Sequence, residues 1–215
     1  MKLIISLALV LLAVLLYFEK TGNRKGLLPT KTLLSLLFII TGLTQVQIWQ
    51  PYAVIIIFGL VFCLGGDVFL ALPQKRMFLF GLISFLLGHV CYVIGFFWVA
   101  NLGGMTILGV VTTGVIGIPI YKWLKPHLGS MQKPVITYIV VISLMVIAAW
   151  SLLGTHSLPD SGRWFVFVGA VSFYVSDIFV ARDRFLQKSF VNRLWGLPLY
   201  YLGQFMIAFS IGSIR

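Results

Sequence analysis

Acidic side chains are nearly missing from this chain: five in 215 residues, against sixteen lysines and arginines, for a formal net charge of +11. Charged residues of both signs reach only 10%, where soluble domains carry about 25%. That shortage excludes an ordinary soluble globular protein. Three histidines are present, His89, His127 and His156. One lies in an apolar run and two in polar segments far apart in sequence, which excludes a three-histidine zinc hydrolase. The two cysteines, Cys63 and Cys91, both fall inside apolar runs, so no disulfide framework is expected. No Walker or dinucleotide glycine-rich loop occurs at a strand–helix junction, and no cofactor is called for.

What is abundant is apolar sequence. Hydrophobic residues make up 60% of the chain, and they gather in runs long enough to cross ~30 Å of hydrocarbon as helices. Eight such spans are predicted, over residues 3–18, 32–48, 52–72, 77–100, 105–121, 134–153, 163–181 and 194–212. The fold expected is all-α: a polytopic membrane protein forming one integral membrane domain over residues 1–215. The first span has the charge and length of a signal peptide, but Glu19-Lys20-Thr21 offers no small-residue cleavage site, and it is kept as a helix. The basic residues sort by side. Lys20, Arg24, Lys25, Lys31, Lys75, Arg76, Lys122, Lys125, Lys133, Arg182, Arg184, Lys188 and Arg193 fall in or beside alternate loops, and only Lys2, Arg163 and Arg215 fall on the other side. The positive-inside rule then puts both termini outside a bacterial inner membrane. Charge so distributed sets topology and meets anionic lipid; a nucleic-acid partner is not expected.

Two of the five acidic residues interrupt apolar runs at similar places. Gly65-Gly66-Asp67-Val68-Phe69-Leu70-Ala71 closes the third span, and Val175-Ser176-Asp177-Ile178-Phe179-Val180-Ala181 closes the seventh. A carboxylate at membrane depth costs ~2.5–3.5 kcal/mol on insertion scales and is expected to face a bundle interior or wet cavity. At ~1.5 Å per residue both aspartates lie roughly 6–8 Å below the basic surface, and His89 near the midplane at about 18 Å. Gln204 reaches a similar depth. Tyr92 stands one turn from His89, and Tyr200 and Tyr201 one turn from Gln204, so each set can share a face. Lys31 and Lys133 sit at the mouths of spans two and six.

The candidate catalytic residues are therefore Asp67, Asp177 and His89, and the candidate substrate contacts are Lys31, Tyr92, Lys133, Tyr200, Tyr201 and Gln204. Structural roles stay open for each: the aspartates as ion-pair or capping residues, His89 as a packing hydrogen-bond donor, the lysines as headgroup anchors, and the tyrosines and Gln204 as links between helices. Gly81-Leu82 and Leu87-Gly88-His89 in span four match Gly196-Leu197 and Leu202-Gly203-Gln204 in span eight. Together with the two aspartate segments they point to a parallel internal repeat, with halves of about 1–101 and 102–215.

The Gly66-Asp67 pair, Phe85-Leu86-Leu87-Gly88-His89-Val90-Cys91-Tyr92, Ser176-Asp177 with Arg184-Phe185 beyond it, and Tyr200-Tyr201-Leu202-Gly203-Gln204 together resemble the YhhN family of membrane proteins, which includes the eukaryotic lysoplasmalogenases of the TMEM86 type. The similarity runs over nearly the whole chain. The family's Lys-Pro pair at the second span reads Lys31-Thr32 here, while Lys133-Pro134 keeps the pair in the second half. The resemblance implies a lysolipid substrate, and hydrolysis of the vinyl ether bond of a lysoplasmalogen to a fatty aldehyde and a glycerophospho-headgroup. The candidate residues suit that chemistry. A vinyl ether is opened by protonating its β-carbon, which needs a carboxylic acid beside a carboxylate, and two aspartates sharing one cavity divide those roles. The alternative is a lipid or small-molecule transporter or scramblase with a midplane polar site, for which a parallel repeat is equally natural.

Overall fold

The computed structural model describes residues 1–214, and of Lys75 the backbone alone. The described residues form eight long helices: α1 (Lys2–Thr21), α2 (Arg24–Gln45), α3 (Pro51–Ala71), α4 (Lys75–Val99), α5 (Gly104–Leu124), α6 (Gln132–Leu153), α7 (Asp160–Ala181) and α8 (Phe190–Ser213). All eight are long and apolar enough to cross a membrane. This is an integral, multi-pass membrane protein. Helices are the expected answer, because in hydrocarbon each backbone N–H and C=O must find its partner within the segment. Large apolar side chains stay exposed along the outer faces, Leu3, Leu9, Ile107, Val115 and Leu202 among them, and that surface suits lipid. The exposed tryptophans Trp49, Trp98, Trp123, Trp164 and Trp195 all lie at helix ends or in loops, as residues of an interfacial belt do.

The helix ends follow local chemistry more than hydropathy. α1 stops where Gly22 takes a left-handed conformation (φ 68°) and its N–H bonds back to Phe18 O, a backbone state open to glycine at little cost. Asn23 then accepts from the Gly26 amide at 3.3 Å and starts α2. α2 therefore begins well before the apolar run at residue 32 and carries Pro29 inside it. The basic segment predicted as a loop is helix instead, because the Asn23 cap restarts the chain within two residues. α8 likewise begins at Phe190 behind a Ser189 cap, and α7 runs on into a single π-helical turn, Arg182–Leu186.

The closest-packed pairs are α3 with α4 and α7 with α8, and each crossing is built on two glycines. A Cβ on Gly88 would stand 3.0 Å from Gly59 O, and one on Gly59 would stand 3.2 Å from Gly88 O. In the second pair a Cβ on Gly169 would stand 3.0 Å from Gly203 O, and one on Gly203 would stand 2.8 Å from Gly169 O. Backbone-to-backbone contact this close has no room for a side chain. The α3 and α7 members of these pairs precede their aspartates by the same eight positions, Gly59 to Asp67 and Gly169 to Asp177. The neighbours also correspond: α1 packs on α2, α2 on α3, α5 on α6 and α6 on α7, and the halves join through α4 on α6 and α2 on α8. α1 and α5 are peripheral; the other six surround the core.

Candidate active site

Asp67, buried to 1% exposure, takes partners from two other helices. Its Oδ1 lies 3.0 Å from Lys31 Nζ of α2. Its Oδ2 accepts from Ser35 Oγ of α2 at 2.5 Å and from Tyr200 OH of α8 at 2.6 Å. Lys31 and Ser35 are one helical turn apart, so one face of α2 delivers both. Three donors, one of them a cation, converge on this carboxyl group. The donor from α8 is itself oriented from behind. Tyr92 OH of α4 donates to Gln204 Oε1 at 2.7 Å, and Gln204 Nε2 donates to Tyr200 OH at 3.3 Å. With its oxygen occupied as an acceptor, the Tyr200 hydroxyl gives its one hydrogen to Asp67.

Asp177 has a different setting. It is half-buried, and a single neutral donor, Tyr138 OH of α6, reaches its Oδ2 at 2.6 Å. Among the described residues no cation lies within salt-bridge distance of it and no donor reaches its Oδ1. Asp67 and Asp177 line the same cavity, of about 1100 Å³ with its open mouth, and Lys31, Tyr138, Tyr174 and Tyr200 share its polar lining. The rest of the wall is apolar, with Leu82, Phe85, Ile120, Ile139 and Leu197 among it. Towards the end of the bundle that carries the basic loops, Asp183, Phe185, Asn192 and Arg193 line the cavity. These are tied together: Asp183 accepts from Arg193 at 2.9 Å, from Asn192 Nδ2 at 3.3 Å and from the Ser189 amide at 3.0 Å. Arg184 lies over the Phe78 ring at 4.2 Å.

Beneath the aspartates the bundle is closed. The fully buried His89 ring sits 4.5 Å from Phe173, 5.2 Å from Tyr138 and 6.3 Å from Tyr92. Its Nδ1 meets Phe85 O at 2.6 Å, while Nε2 is buried without a partner. His89, Tyr92, Tyr201 and Gln204 thus stand behind the cavity wall and not on it. Tyr201 packs its ring 4.8 Å from Tyr200 and lies 3.5 Å from Ser35. Lys133, at the second position of α6, is exposed and away from the cavity. The structure therefore brings Asp67, Asp177, Lys31 and Tyr200 to one cavity, puts four candidates behind it, and leaves Lys133 outside.

Sequence reasoning missed Ser35 and Tyr138, each the direct partner of an aspartate. A signal for Ser35 was available, since it stands four residues after Lys31. Tyr138 is the one hydroxyl of its α6 turn aimed at α7, and no spacing marks it. Among the described residues no three His, Cys, Asp or Glu side chains converge as metal ligands would.

Eight membrane-crossing helices around two carboxyl groups, one buried and one half-buried, in a cavity lined by a few polar side chains and otherwise by apolar ones, define an integral membrane protein with an internal site. The chain belongs to the YhhN family, whose model matches residues 26–211. Bovine lysoplasmalogenase TMEM86A is 30% identical over 175 residues, which cover 77% of this chain and 68% of the relative. Its human counterpart is 29% identical over the same shares. A lysoplasmalogenase of Mycobacterium tuberculosis (strain CDC 1551 / Oshkosh) is 34% identical over 142 residues, 63% of this chain and 51% of that protein. No solved structure matches the chain.

Proposed function

We propose that this chain is a membrane lysoplasmalogenase, which cleaves the vinyl ether bond of a lysolipid to a fatty aldehyde and a glycerophospho-headgroup. The observation that carries the reading is the unequal partnering of two aspartates on one cavity, together with relatives that bear the lysoplasmalogenase name. Asp67, with Lys31 and two hydroxyls on it, is the standing anion. Asp177, with one neutral partner and an oxygen left for the cavity, is the proton donor.

In the reaction the Asp177 carboxyl gives its proton to the β-carbon of the vinyl ether. The C=C electron pair forms the new C–H bond, and the α-carbon becomes part of an oxocarbenium ion. The Asp67 carboxylate offers negative charge to that cation, a fixed electrostatic contribution in a site of low dielectric. Water adds to the α-carbon and passes its proton to the carboxylate that Asp177 has become. The resulting hemiacetal collapses to the aldehyde and the free glycerol hydroxyl. Tyr138 fixes the Asp177 carboxyl by occupying Oδ2, and the Tyr92–Gln204–Tyr200 chain fixes the donor on Asp67. The packed layer of His89, Phe173 and Tyr92 beneath the site favours a cavity entered from one end over a path across the bilayer. The basic end of the bundle is assigned to the cytoplasmic side of a bacterial inner membrane by the positive-inside rule, with both termini opposite. The matching aspartate and glycine positions in the two halves are read as a parallel duplication.

The test is aldehyde release by purified protein from a lysoplasmalogen and from the lysolipid with a saturated ether at the same position. Turnover of the vinyl ether alone is expected, and its loss by about a hundredfold or more in both Asp67→Asn and Asp177→Asn. Wild-type rates in both variants would sink the acid–base assignment. Equal release from both lipids would sink the reaction itself.

A further inference from the structure

The substrate of the proposed reaction has a hydrocarbon tail that must go somewhere, and below the aspartates the bundle is closed to it. A lipid tail spans one leaflet, about half of a ~30 Å hydrocarbon core. The aspartates lie near the basic end, and the floor below them is filled: Phe173, one turn before Asp177, Cys63, one turn before Asp67, and His89 between the two halves are all buried to 0% exposure. A tail bound with its ether at the aspartates cannot run down the bundle axis.

Another path is present at the side. On the lipid-facing surface α5 and α6 enclose an apolar groove of about 790 Å³ counting its open side. Its α5 wall runs from Val110 to Tyr121, about 16 Å of helix and close to the length of one leaflet. The groove and the cavity share Ile139 as a wall residue. They also meet at Tyr174, which lines the cavity and whose hydroxyl would lie 3.2 Å from a Cβ on Gly117, a residue of the groove. The partition between cavity and groove is thus about one side chain thick. The neighbouring Gly114 faces open space, with no atom within 4 Å of where its Cβ would be. α5 packs against α6 and the short turns at the basic end, so it is the helix freest to part from the bundle.

We infer that the α5–α6 groove is the tail subsite of the enzyme, and that the substrate enters and lies with its ether at Asp67 and Asp177, its chain passing Ile139, Tyr174 and Gly117 into the groove, and its phosphate-bearing headgroup at the basic end. The inference rests on the lysoplasmalogenase reading.

The experiment places a large side chain where the fold tolerates one. Gly114→Trp fills the groove from open space and, with no neighbour to displace, should keep the melting temperature of the wild type in detergent. Aldehyde release is measured from lysoplasmalogens with a membrane-length and a half-length alkenyl chain. For the long chain kcat/KM is expected to fall about tenfold or more, which the loss of roughly two methylene burials already amounts to, while the short chain keeps its wild-type value. Equal effects on both chains, or none, overturn the subsite. A second arm needs no turnover. A saturated-ether lysolipid with a photoreactive diazirine near the chain end should label α5 and α6 between residues 110 and 147, and the Gly114→Trp variant should lose that label. Label on α1 or on the outer faces of α3 and α8 refutes the inference, as does competition by excess diacyl phospholipid as strong as by unlabelled lysolipid, which would mark a bulk-lipid site. If wild-type protein releases no aldehyde from either chain yet labels in the groove, the reaction is wrong and the tail site stands.

Discussion

Replacing Lys31 with methionine should destabilise the protein far more than most single changes. Lys31 and Asp67 are 3.0 Å apart with side-chain exposures of 6% and 1%, so neither charge can turn to water when the other is removed. Taking one partner from a buried pair costs about 3–5 kcal/mol, because an uncompensated charge stays behind. Methionine keeps the length and apolar stem of lysine, so little of the loss can be assigned to packing. Ser35 and Tyr200 still donate to Asp67, and each bond to a charged acceptor is worth about 1.5–3 kcal/mol, which puts the expected loss near the lower end, about 3 kcal/mol. Asp67→Asn strands the lysine instead and should cost a similar amount.

The decisive measurement is the cycle. In Lys31→Met with Asp67→Asn no charge is left buried, and the asparagine carbonyl still accepts from Ser35 or Tyr200. The double variant should therefore be more stable than either single one, with a coupling of at least about 3 kcal/mol between the two positions. Reversible unfolding of the purified protein in mixed micelles, followed by circular dichroism, reads all four species. Losses that add within about 0.5 kcal/mol would show that the pair is not coupled and that Asp67 is not held by Lys31. Aldehyde release separates stability from chemistry: the double variant is expected to be stable and inactive, since the anion is gone.

Tyr138→Phe removes the one donor to Asp177 and should lower kcat about tenfold, the scale of one hydrogen bond, with KM within about twofold, read by steady-state aldehyde release. Gly203→Ala drives a Cβ to 2.8 Å from the Gly169 carbonyl oxygen, and overpacking of that kind should cost roughly 1–3 kcal/mol in the same unfolding assay; an unchanged midpoint would mean the helices part freely. Gln204→Leu should leave the cavity walls in place but free the Tyr200 hydroxyl, lowering kcat with KM little changed. The pH–rate curve should be bell-shaped: activity falls on the alkaline side as the donor loses its proton, and on the acid side as the anion gains one. Both limbs belong to the coupled pair, and a flat profile would point to transport.

The eight spans and the two aspartates were legible because both depend on one strong term, the cost of placing polar groups in hydrocarbon. Faces were not. Lys31 and Lys133 occupy the same place in the sequence pattern, each at the mouth of a span, yet Lys31 turns inward to a carboxylate and Lys133 stays exposed. The difference lies in packing: α2 is held between α3 and α8 and presents Lys31 and Ser35 as one inward stripe, whereas the side of α6 that meets α7 is the one carrying Tyr138. α4 is apolar nearly all round, so nothing in its periodicity says which way His89 points, and only the Gly59–Gly88 crossing sets that rotation. Helix starts were missed for a different reason. Asn23 and Ser189 are short polar caps outside the apolar runs, and hydropathy gives them no weight.

The contrast between the two lysines also bears on how the site divides its labour. Two aspartates in matching helices, each eight residues past a glycine crossing, would meet nearly the same surroundings if every other position matched as well. They would then compete for one proton with no preference between them. The surroundings differ in what α2 and α6 deliver: a cation and a hydroxyl to Asp67, a lone hydroxyl to Asp177. In the proposed mechanism the carboxyl beside the buried ammonium serves as the anion, and the aspartate with no cation carries the proton. On that proposal Lys31, a residue on neither aspartate's helix, decides which aspartate is acid and which is anion. Moving the cation should move the roles: with Lys31→Met and Tyr138→Lys combined, Asp177 becomes the paired carboxylate and Asp67 the group free to carry the proton. If that variant folds and recovers turnover above Lys31→Met alone, the roles follow the cation. If Tyr138→Lys only deepens the loss, they are fixed by the placement of the substrate.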